Sequence, residues 1–115
     1  MSSERSRQPL EDIRDNIVLA RQFIGSMDFA AFAADVKTFY AVTRALEIIS
    51  EASRHLDDST KERHSQIDWM SVRDAGNIYR HSYDLVTEQR IWDTAVQHLG
   101  PLESVVLAEL GTLEK

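Results

Sequence analysis

The strongest folding signal in this chain is the run from Val36 to about Leu56, which contains neither glycine nor proline. Its apolar side chains recur every three or four residues, the spacing that places them on one face of an α-helix, and these are Phe39, Val42, Leu46 and Ile49. More polar residues, Tyr40, Thr43, Glu47 and Ser50, lie alongside that stripe. The run therefore predicts a long amphipathic helix.

The N-terminal part of the chain has a second helical pattern. Pro9 suits the first position of a helix, and Glu11 and Asp12 would then complement the dipole of its first turn. The apolar stripe of this helix comprises Leu10, Ile13, Ile17, Ala20 and Ile24, and Gly25 should end it. Asp28 can cap a short helix in the segment FAAFAAD.

The second half of the chain is also helical in pattern. The segment DDSTKERHSQID should hold one short helical turn, and a helix capped by Asp68 should run toward Tyr79. A last helix should start near Thr87 and be kinked or interrupted at Gly100-Pro101; its stripe is Ile91, Ala95, Leu99, Leu102, Val106 and Leu110. No segment alternates for long enough to be a strand. The sequence thus predicts an all-α fold, an antiparallel bundle of four to five helices.

Length and charge limit what such a bundle can be. The 115 residues fit one domain, 1–115, whose first eight residues should be poorly ordered. Without cysteine, disulfides and thiolate metal sites are excluded. No apolar run reaches the roughly 20 residues that cross a bilayer, so we expect a cytoplasmic protein with no membrane contact. Because the net charge is -6, any RNA or nucleotide contact must be confined to a local patch.

The titratable residues offer only a weak metal site. Glu51 and His55 are four residues apart on one helix face, with His64 nearby, whereas a zinc site needs three or four converging ligands. A solvated helix face is the favoured interpretation. We therefore expect no cofactor, no tightly bound metal and no metal requirement for any cleavage.

Glu47 is an acid between apolar neighbours, so if it is buried it needs a partner. One interpretation is a structural salt bridge to a nearby arginine. The other is a carboxylate that orients Arg73, Arg80 or His81 in a pocket. The sequence leaves both open.

The stretch GNIYRHSYD places Arg80 beside His81. An imidazole can give or take a proton near neutral pH, and a guanidinium can hold a phosphate oxygen through paired donors. Together they provide the minimum groups for metal-free RNA cleavage, in which the 2′-hydroxyl attacks the neighbouring phosphate. Two such residues can also be ordinary surface residues.

Five blocks of the chain carry a resemblance that covers nearly its whole length: LEDI, MDFAAFAAD, KTFYAVTRALEIISEA, IDWMSVRDAGNIYRHSYD and IWDTAVQHLGPL. Their order and spacing are similar to those of the HepT-like branch of the HEPN superfamily, small helical-bundle proteins of bacteria and archaea. The resemblance implies a dimeric toxin component with a composite cleft between subunits, acting as an RNA endonuclease. It also implies a nucleotidyltransferase antitoxin as partner. The segment from Trp69 to Tyr83 should then lie at or near the dimer interface.

The motif of that family is arginine, a polar residue, three more residues, histidine, any residue and tyrosine. Carried onto this chain, it makes Asn77 the polar residue, His81 the histidine and Tyr83 the tyrosine. The arginine place falls on Gly76, which departs from the motif. Similar chains that share this glycine carry arginine at the places of Arg73 and Arg80.

Helical spacing indicates which arginine could take the role of the motif arginine that is missing at Gly76. Arg73 and Asn77 lie one turn apart on one face, and His81 continues that face if the helix persists. Arg80 would point elsewhere in a regular helix, so the spacing favours Arg73 without deciding between them.

Tyr83 has a further role by resemblance, because related antitoxins transfer AMP units to this tyrosine and block the cleft. From the residue alone, a buried tyrosine at a bundle end is as good an interpretation. Two hypotheses therefore stand: a ribonuclease toxin using His81 with Arg73 or Arg80, and a binding module for a nucleotidyltransferase that has lost catalysis at Gly76.

Overall fold

The structure is a computed structural model and describes residues 4–114. Its helices are α1 (Arg7–Ile24), α2 (Phe29–Ala33), α3 (Val36–Ser53), α4 (Asp58–Arg63), α5 (Trp69–His81), α6 (Glu88–Asp93) and α7 (Leu99–Leu113). Short 3-10 turns span Glu4–Ser6 and Tyr83–Leu85, and a π-helical turn spans Thr94–His98. Residues 4–114 contain no strand, and the all-α class is confirmed. Whether α6 and α7 count as one helix or two depends on the π turn that joins them.

The core is built from the apolar stripes that the sequence predicts. Every residue of the α1 stripe is buried, as are Val42, Leu46 and Ile49 of α3 and all six residues of the last stripe. Helices α1 and α7 run antiparallel, since Arg7 donates to the Leu113 carbonyl at 3.4 Å and Arg21 pairs with Glu103 at 2.6 Å. Burial of these stripes is the main force holding the bundle together.

Helix starts are set by short polar side chains. Asp28, Asp35, Asp57 and Asp68 each accept a hydrogen bond from the backbone N–H three residues on, at 2.9, 3.1, 3.3 and 3.1 Å, and Thr87 does the same at 3.2 Å. These bonds satisfy donors that the first turn of a helix leaves free. The predicted caps Asp28 and Asp68 and the start at Thr87 are confirmed, as is the end of α1 at Gly25, whose φ of 54° suits glycine.

The N-terminal boundary was predicted wrongly. Helix α1 begins at Arg7, so Pro9 is its third residue, still in the first turn where a missing N–H costs nothing. Glu11 and Asp12 then lie beyond that turn. The poor order expected of residues 1–8 stays a prediction. Ser6 is fully buried and accepts from the Asp57 N–H at 3.1 Å. Residues 1–3 lie outside the described part of the chain.

The interruption expected at Gly100-Pro101 is present one turn earlier. Proline cannot donate to the carbonyl four residues back, and its ring crowds that carbonyl. The chain widens into the π turn Thr94–His98, and α7 restarts at Leu99 with Pro101 in its first turn. Across residues 4–114, no helix is both long and apolar enough to pass through a membrane.

Candidate active site

Helix α5 carries four of the predicted site residues, Arg73, Asn77, Arg80 and His81, and all four are exposed. His81 is the last residue of α5 rather than a residue just past it, because the Ser82 N–H still donates to the Ile78 carbonyl at 3.0 Å. The helix therefore persists through the motif, as the shared face of Arg73, Asn77 and His81 requires. The helix ends at Ser82, whose φ of -131° and ψ of 59° are not helical.

Gly76, at the motif arginine place, lies where α5 touches α3. Its N–H donates to Ser50 Oγ at 2.9 Å, and Ser50 Oγ donates in turn to the Arg73 carbonyl at 2.9 Å. A Cβ at position 76 would overlap Ser50 Oγ and lie 3.0 Å from Ser50 Cβ. The two helices thus approach too closely for any side chain at position 76, which is the physical reason for glycine there.

The direction predicted for Arg80 is wrong. Arg80 Nη2 donates to Asn77 Oδ1 at 2.9 Å, and Arg80 Nη1 lies 3.8 Å from Glu51 Oε1. The same Nη1 would lie 3.2 Å from a Cβ on Gly76. Arg80 therefore folds back along the helix toward the place where the motif arginine would start. The reason is that residues three apart are neighbours on a helix surface.

Arg73, which the spacing favoured, has a different environment. Its Nε donates to Asp74 Oδ1 at 3.1 Å, and its side chain is about half exposed. No hydrogen bond joins Arg73 to Asn77 or His81 among the described residues. Of the two candidate arginines, the structure brings Arg80 to Asn77.

A groove of about 390 Å³ runs between α1, α3 and the end of α5. Its polar residues are Asp12, Arg44, Glu47, Glu51, His55 and Arg80. Glu47 forms an ion pair with Arg44 on its own helix. Of the two interpretations of Glu47, this contact fits the structural salt bridge. Glu47 still lines the same groove as Arg80, so its charge contributes to the surroundings of that guanidinium.

His81 and Tyr83 project from the end of α5. Tyr83 is 88% exposed, so the interpretation of a buried tyrosine is wrong. Neither side chain forms a hydrogen bond or ion pair within residues 4–114, which leaves the imidazole and the phenol accessible. Tyr79, by contrast, faces the protein: burial raises the pKa of its phenol, and a hydrogen bond from Thr94 opposes that shift.

The residues weighed as metal ligands pair with other groups. His55 Nε2 lies 3.3 Å from Glu51 Oε2, and His64 Nε2 lies 2.7 Å from Glu109 Oε2. No group of three His, Asp or Glu side chains converges on a point suited to a metal ion anywhere in residues 4–114. His55, just after α3, and His64, just after α4, are thus engaged in ion pairs or hydrogen bonds.

Sequence reasoning missed two residues. Ser50 is placed on the polar flank of α3 by periodicity, yet it is 2% exposed and bonded to α5. Glu109 is 4% exposed and held by Arg63 at 2.7 Å as well as by His64. Hydrogen bonding to Glu109 raises the pKa of Arg63. The sequence does contain a signal for the burial of Glu109: it follows Val106 by three residues and so lies beside the apolar stripe of α7.

Comparisons with known proteins show which family and which relatives this chain is similar to. Residues 13–108 match the family model described as "Ribonuclease HepT-like". The chain is 35% identical over 94 residues to a probable ribonuclease HepT of Thermococcus cleftensis, an alignment covering 82% of this chain and 86% of that protein. It is 29% identical over 100 residues to a putative RNase of Caldanaerobacter subterraneus, covering 87% and 89%. A putative RNase of Methanocaldococcus jannaschii is 30% identical over 96 residues, covering 84% and 79%. No solved structure matches the chain.

Proposed function

The chain belongs to the HepT-like ribonuclease family, and we propose that it is a metal-independent RNA endonuclease acting at the exposed end of α5. The observation that carries the proposal is the placement of His81 directly after Arg80, whose guanidinium is bonded to Asn77. An accessible imidazole next to an oriented guanidinium is the pair of groups that phosphodiester cleavage requires.

The proposed reaction begins when His81 accepts the proton of an RNA 2′-hydroxyl. The 2′-oxygen then forms a bond to the adjacent phosphorus while the bond from phosphorus to the 5′-oxygen breaks. The leaving oxygen takes a proton from water, and the hydroxide so formed takes the proton that His81 holds, which restores the imidazole. Arg80 donates hydrogen bonds to the phosphate oxygens, on which negative charge accumulates in the transition state. Asn77 keeps the guanidinium in place through its Oδ1.

Charge supports a local site for this chemistry. The net charge of -6 opposes general attraction of RNA, but Arg73, Arg80 and His81 all lie on α5 within three turns. Basic residues concentrated at one helix end can bind phosphate although the rest of the molecule is acidic. The contact with RNA is therefore proposed for this end of α5 and not for the acidic remainder.

We further propose that two copies associate with the segment 69–83 at or near their interface. Two-fold pairing is the commonest symmetric arrangement of soluble proteins, and it would bring two His81 side chains to one cleft. Sedimentation at micromolar concentration should give a species of twice the 13.1 kDa chain mass. A species of 13.1 kDa alone would exclude the dimer.

Control by a partner is proposed for Tyr83. Its phenol is exposed and unbonded, as a nucleophile for nucleotidyl transfer must be, and it follows His81 by two residues. A nucleotidyltransferase antitoxin would transfer AMP from a nucleoside triphosphate to the phenol oxygen and release pyrophosphate. The negative charge of the resulting ester would repel RNA. The pair would then form a toxin–antitoxin system that acts in the cytoplasm.

The second candidate function is a binding module without catalysis, which the glycine at the motif arginine place favours. Restoring arginine there cannot separate the two functions, because any side chain at position 76 overlaps Ser50. A cleaner test removes the side chains proposed for catalysis, those of His81, Arg80 and Arg73. It requires no new side chain in the contact between α3 and α5.

The test compares RNA cleavage by purified wild type, His81→Ala, Arg80→Ala and Arg73→Ala with thermal melts of each. His81→Ala should lose about two to four decades of rate, the range for a positioned acid–base group, and melt normally. Arg80→Ala should lose nearly as much, and Arg73→Ala only the modest amount expected of weaker phosphate attraction. A chelator should leave wild-type cleavage unchanged.

His98→Ala is the matched control, since His98 is an exposed histidine on the π turn, away from the groove that Arg80 lines. It should cleave like wild type. Absence of cleavage by the wild type would favour the binding module, whereas cleavage that His81→Ala does not reduce would exclude His81 from the reaction. Cleavage abolished by a chelator and restored by a divalent ion would overturn the metal-independent reaction.

A further inference from the structure

Ser50 makes two hydrogen bonds to the backbone of α5 from a buried position on α3. Its hydroxyl accepts from the Gly76 N–H and donates to the Arg73 carbonyl, each at 2.9 Å. A side-chain hydroxyl between two backbone groups of a neighbouring helix fixes both the distance and the register of that helix. We propose that Ser50 is a positioning residue for Arg80, an inference that rests on the ribonuclease function proposed above.

The geometry of the contact gives the serine this role. Gly76 is the one fully buried residue of helix α5, all of which the structure describes, and here the backbone of α5 reaches Ser50 on α3. Side chains such as Val72 and Ala75 are only partly buried. Apolar layers can repack when one side chain changes, whereas a backbone held by a hydroxyl has a single distance. The separation of α5 from α3 at this point therefore depends on Ser50.

Arg80 is sensitive to that separation because it bridges the two helices. One turn after Gly76, its Nη2 is bonded to Asn77 on α5 and its Nη1 lies 3.8 Å from Glu51 on α3. Glu51 is the residue next to Ser50 in the chain. A shift of α5 relative to α3 would change the Arg80–Glu51 distance and hence the position of the guanidinium. Displacement of a catalytic group by about 1 Å can lower a rate by about 10²-fold.

A matched control lies one turn along the same helix. Ser53 is also buried, at 1% exposure, but its hydroxyl donates at 2.6 Å to the Ser50 carbonyl of its own helix. Ser50→Ala and Ser53→Ala each remove one buried hydroxyl from α3. Only the first removes a contact with α5. A difference between the two variants therefore measures the contact between helices and not the loss of a buried hydroxyl.

The experiment measures single-turnover RNA cleavage and thermal melts for Ser50→Ala, Ser53→Ala, Arg80→Ala and the double variant Ser50→Ala/Arg80→Ala. Ser50→Ala should lower the cleavage rate by about 10- to 100-fold, and Ser53→Ala by less than about twofold. In the Arg80→Ala background, Ser50→Ala should cause no further loss, since a residue that acts through Arg80 has nothing left to position. An equal loss from Ser50→Ala in both backgrounds, or one no larger than for Ser53→Ala, would overturn the proposal.

A second readout does not depend on catalysis. The rate at which a dicarbonyl reagent modifies Arg80 can be followed by peptide mass spectrometry in wild type, Ser50→Ala and Ser53→Ala. Positioning by Ser50 predicts a changed rate in Ser50→Ala alone, with Arg44 as the internal reference. If wild type does not cleave RNA, the proposed function fails, and this measurement still decides the role of Ser50: an unchanged rate rejects it.

Discussion

Helix α3 contacts α1 on one side and α5 on the other, and the two contacts are built from different residues. Toward the core, stripes of isoleucine, leucine, valine and alanine from α1 and α3 are buried together. Toward α5, the closest approach is a serine hydroxyl against the backbone of a glycine, beside the partly buried Trp69 and Tyr79. The first contact is held by apolar volume and the second by hydrogen bonds at close approach.

The difference separates stability from positioning. Apolar cores tolerate substitutions that keep their volume, and their strength scales with the surface that they bury. The contact through Ser50 and Gly76 is polar and leaves no room for an added carbon atom. We therefore expect core changes to lower the free energy of unfolding most, and changes at the α5 contact to lower cleavage more than their effect on stability would explain.

The largest loss of stability should come from Ile17→Ala, because Ile17 is fully buried on α1. Removing a buried isoleucine to the β-carbon costs about 2–5 kcal/mol of unfolding free energy through lost burial and the cavity left behind. Urea denaturation measures the loss, and Leu107→Ala, at a residue 50% exposed, is the control with a small effect. Cleavage per folded molecule should remain that of wild type. A selective loss of cleavage in Ile17→Ala would break the comparison.

Gly76→Ala should have the next largest effect. The added methyl overlaps Ser50, and such overpacking costs about 1–3 kcal/mol, offset in part by the better helix propensity of alanine. Ser50→Gly in the same chain removes the overlap, so the double variant should be more stable than the sum of the two single losses predicts.

Gly111→Ala should change stability in the opposite direction to Gly76→Ala. Gly111 also lies within a helix, but a Cβ there meets no atom within 4 Å. This substitution should raise the free energy of unfolding by about 0.5–1 kcal/mol. If the two glycine variants change stability in the same direction, close approach at Gly76 is not what distinguishes the α5 contact.

A smaller effect is expected at the start of α5. The hydroxyl and the N–H of Ser71 hold the pKa of the Asp68 carboxyl below its usual range. A lowered folded-state pKa stabilises the fold above the unfolded-state pKa, and this contribution is lost as the pH falls through the folded-state value. The melting temperature of Asp68→Ala should therefore lie below that of wild type at pH 7, and the gap should shrink at pH values below about 4. Asp68→Asn, which keeps a capping oxygen, is the control; a gap that is constant with pH would contradict the charge effect.

The smallest effect on folding and cleavage should come from Tyr83→Phe, since the hydroxyl is exposed and unbonded. Melting temperature and cleavage should match wild type. The variant should, however, resist inhibition by a nucleotidyltransferase that modifies the phenol, as mass spectrometry of the reacted chain would show. Modification of Tyr83→Phe to the wild-type extent would move the acceptor site elsewhere.

The core could be predicted from the sequence because it depends on local spacing. The stripes from Leu10 to Ile24 and from Ile91 to Leu110 follow from the geometry of a single helix, and so do the caps Asp28 and Asp68. Helix ends were less certain: α5 continues two residues past the predicted Tyr79, since nothing in YRH breaks a helix.

The contact of α5 could not be predicted in the same way. Periodicity assigns Ser50 to the polar flank of α3, and it contains no information on which helix covers that flank. The direction of the Arg80 side chain depends on α5 packing against that flank, because its guanidinium contacts both Asn77 on α5 and Glu51 on α3. Resemblance placed the motif but could not explain why position 76 is glycine, since the cause lies 26 residues earlier in the chain.

The close contact also constrains how this chain can change over generations. A mutation that replaces Gly76 with arginine alone would collide with Ser50 and lower the stability of the fold. If position 50 first becomes glycine, the two atoms that block a Cβ at position 76 are gone, and the nearest remaining atom to that Cβ is at the flexible end of Arg80. A lineage passing from this form to the arginine form would therefore accumulate the two substitutions in a fixed order. The single contact between positions 50 and 76 thus constrains the order of the two substitutions as well as their identity.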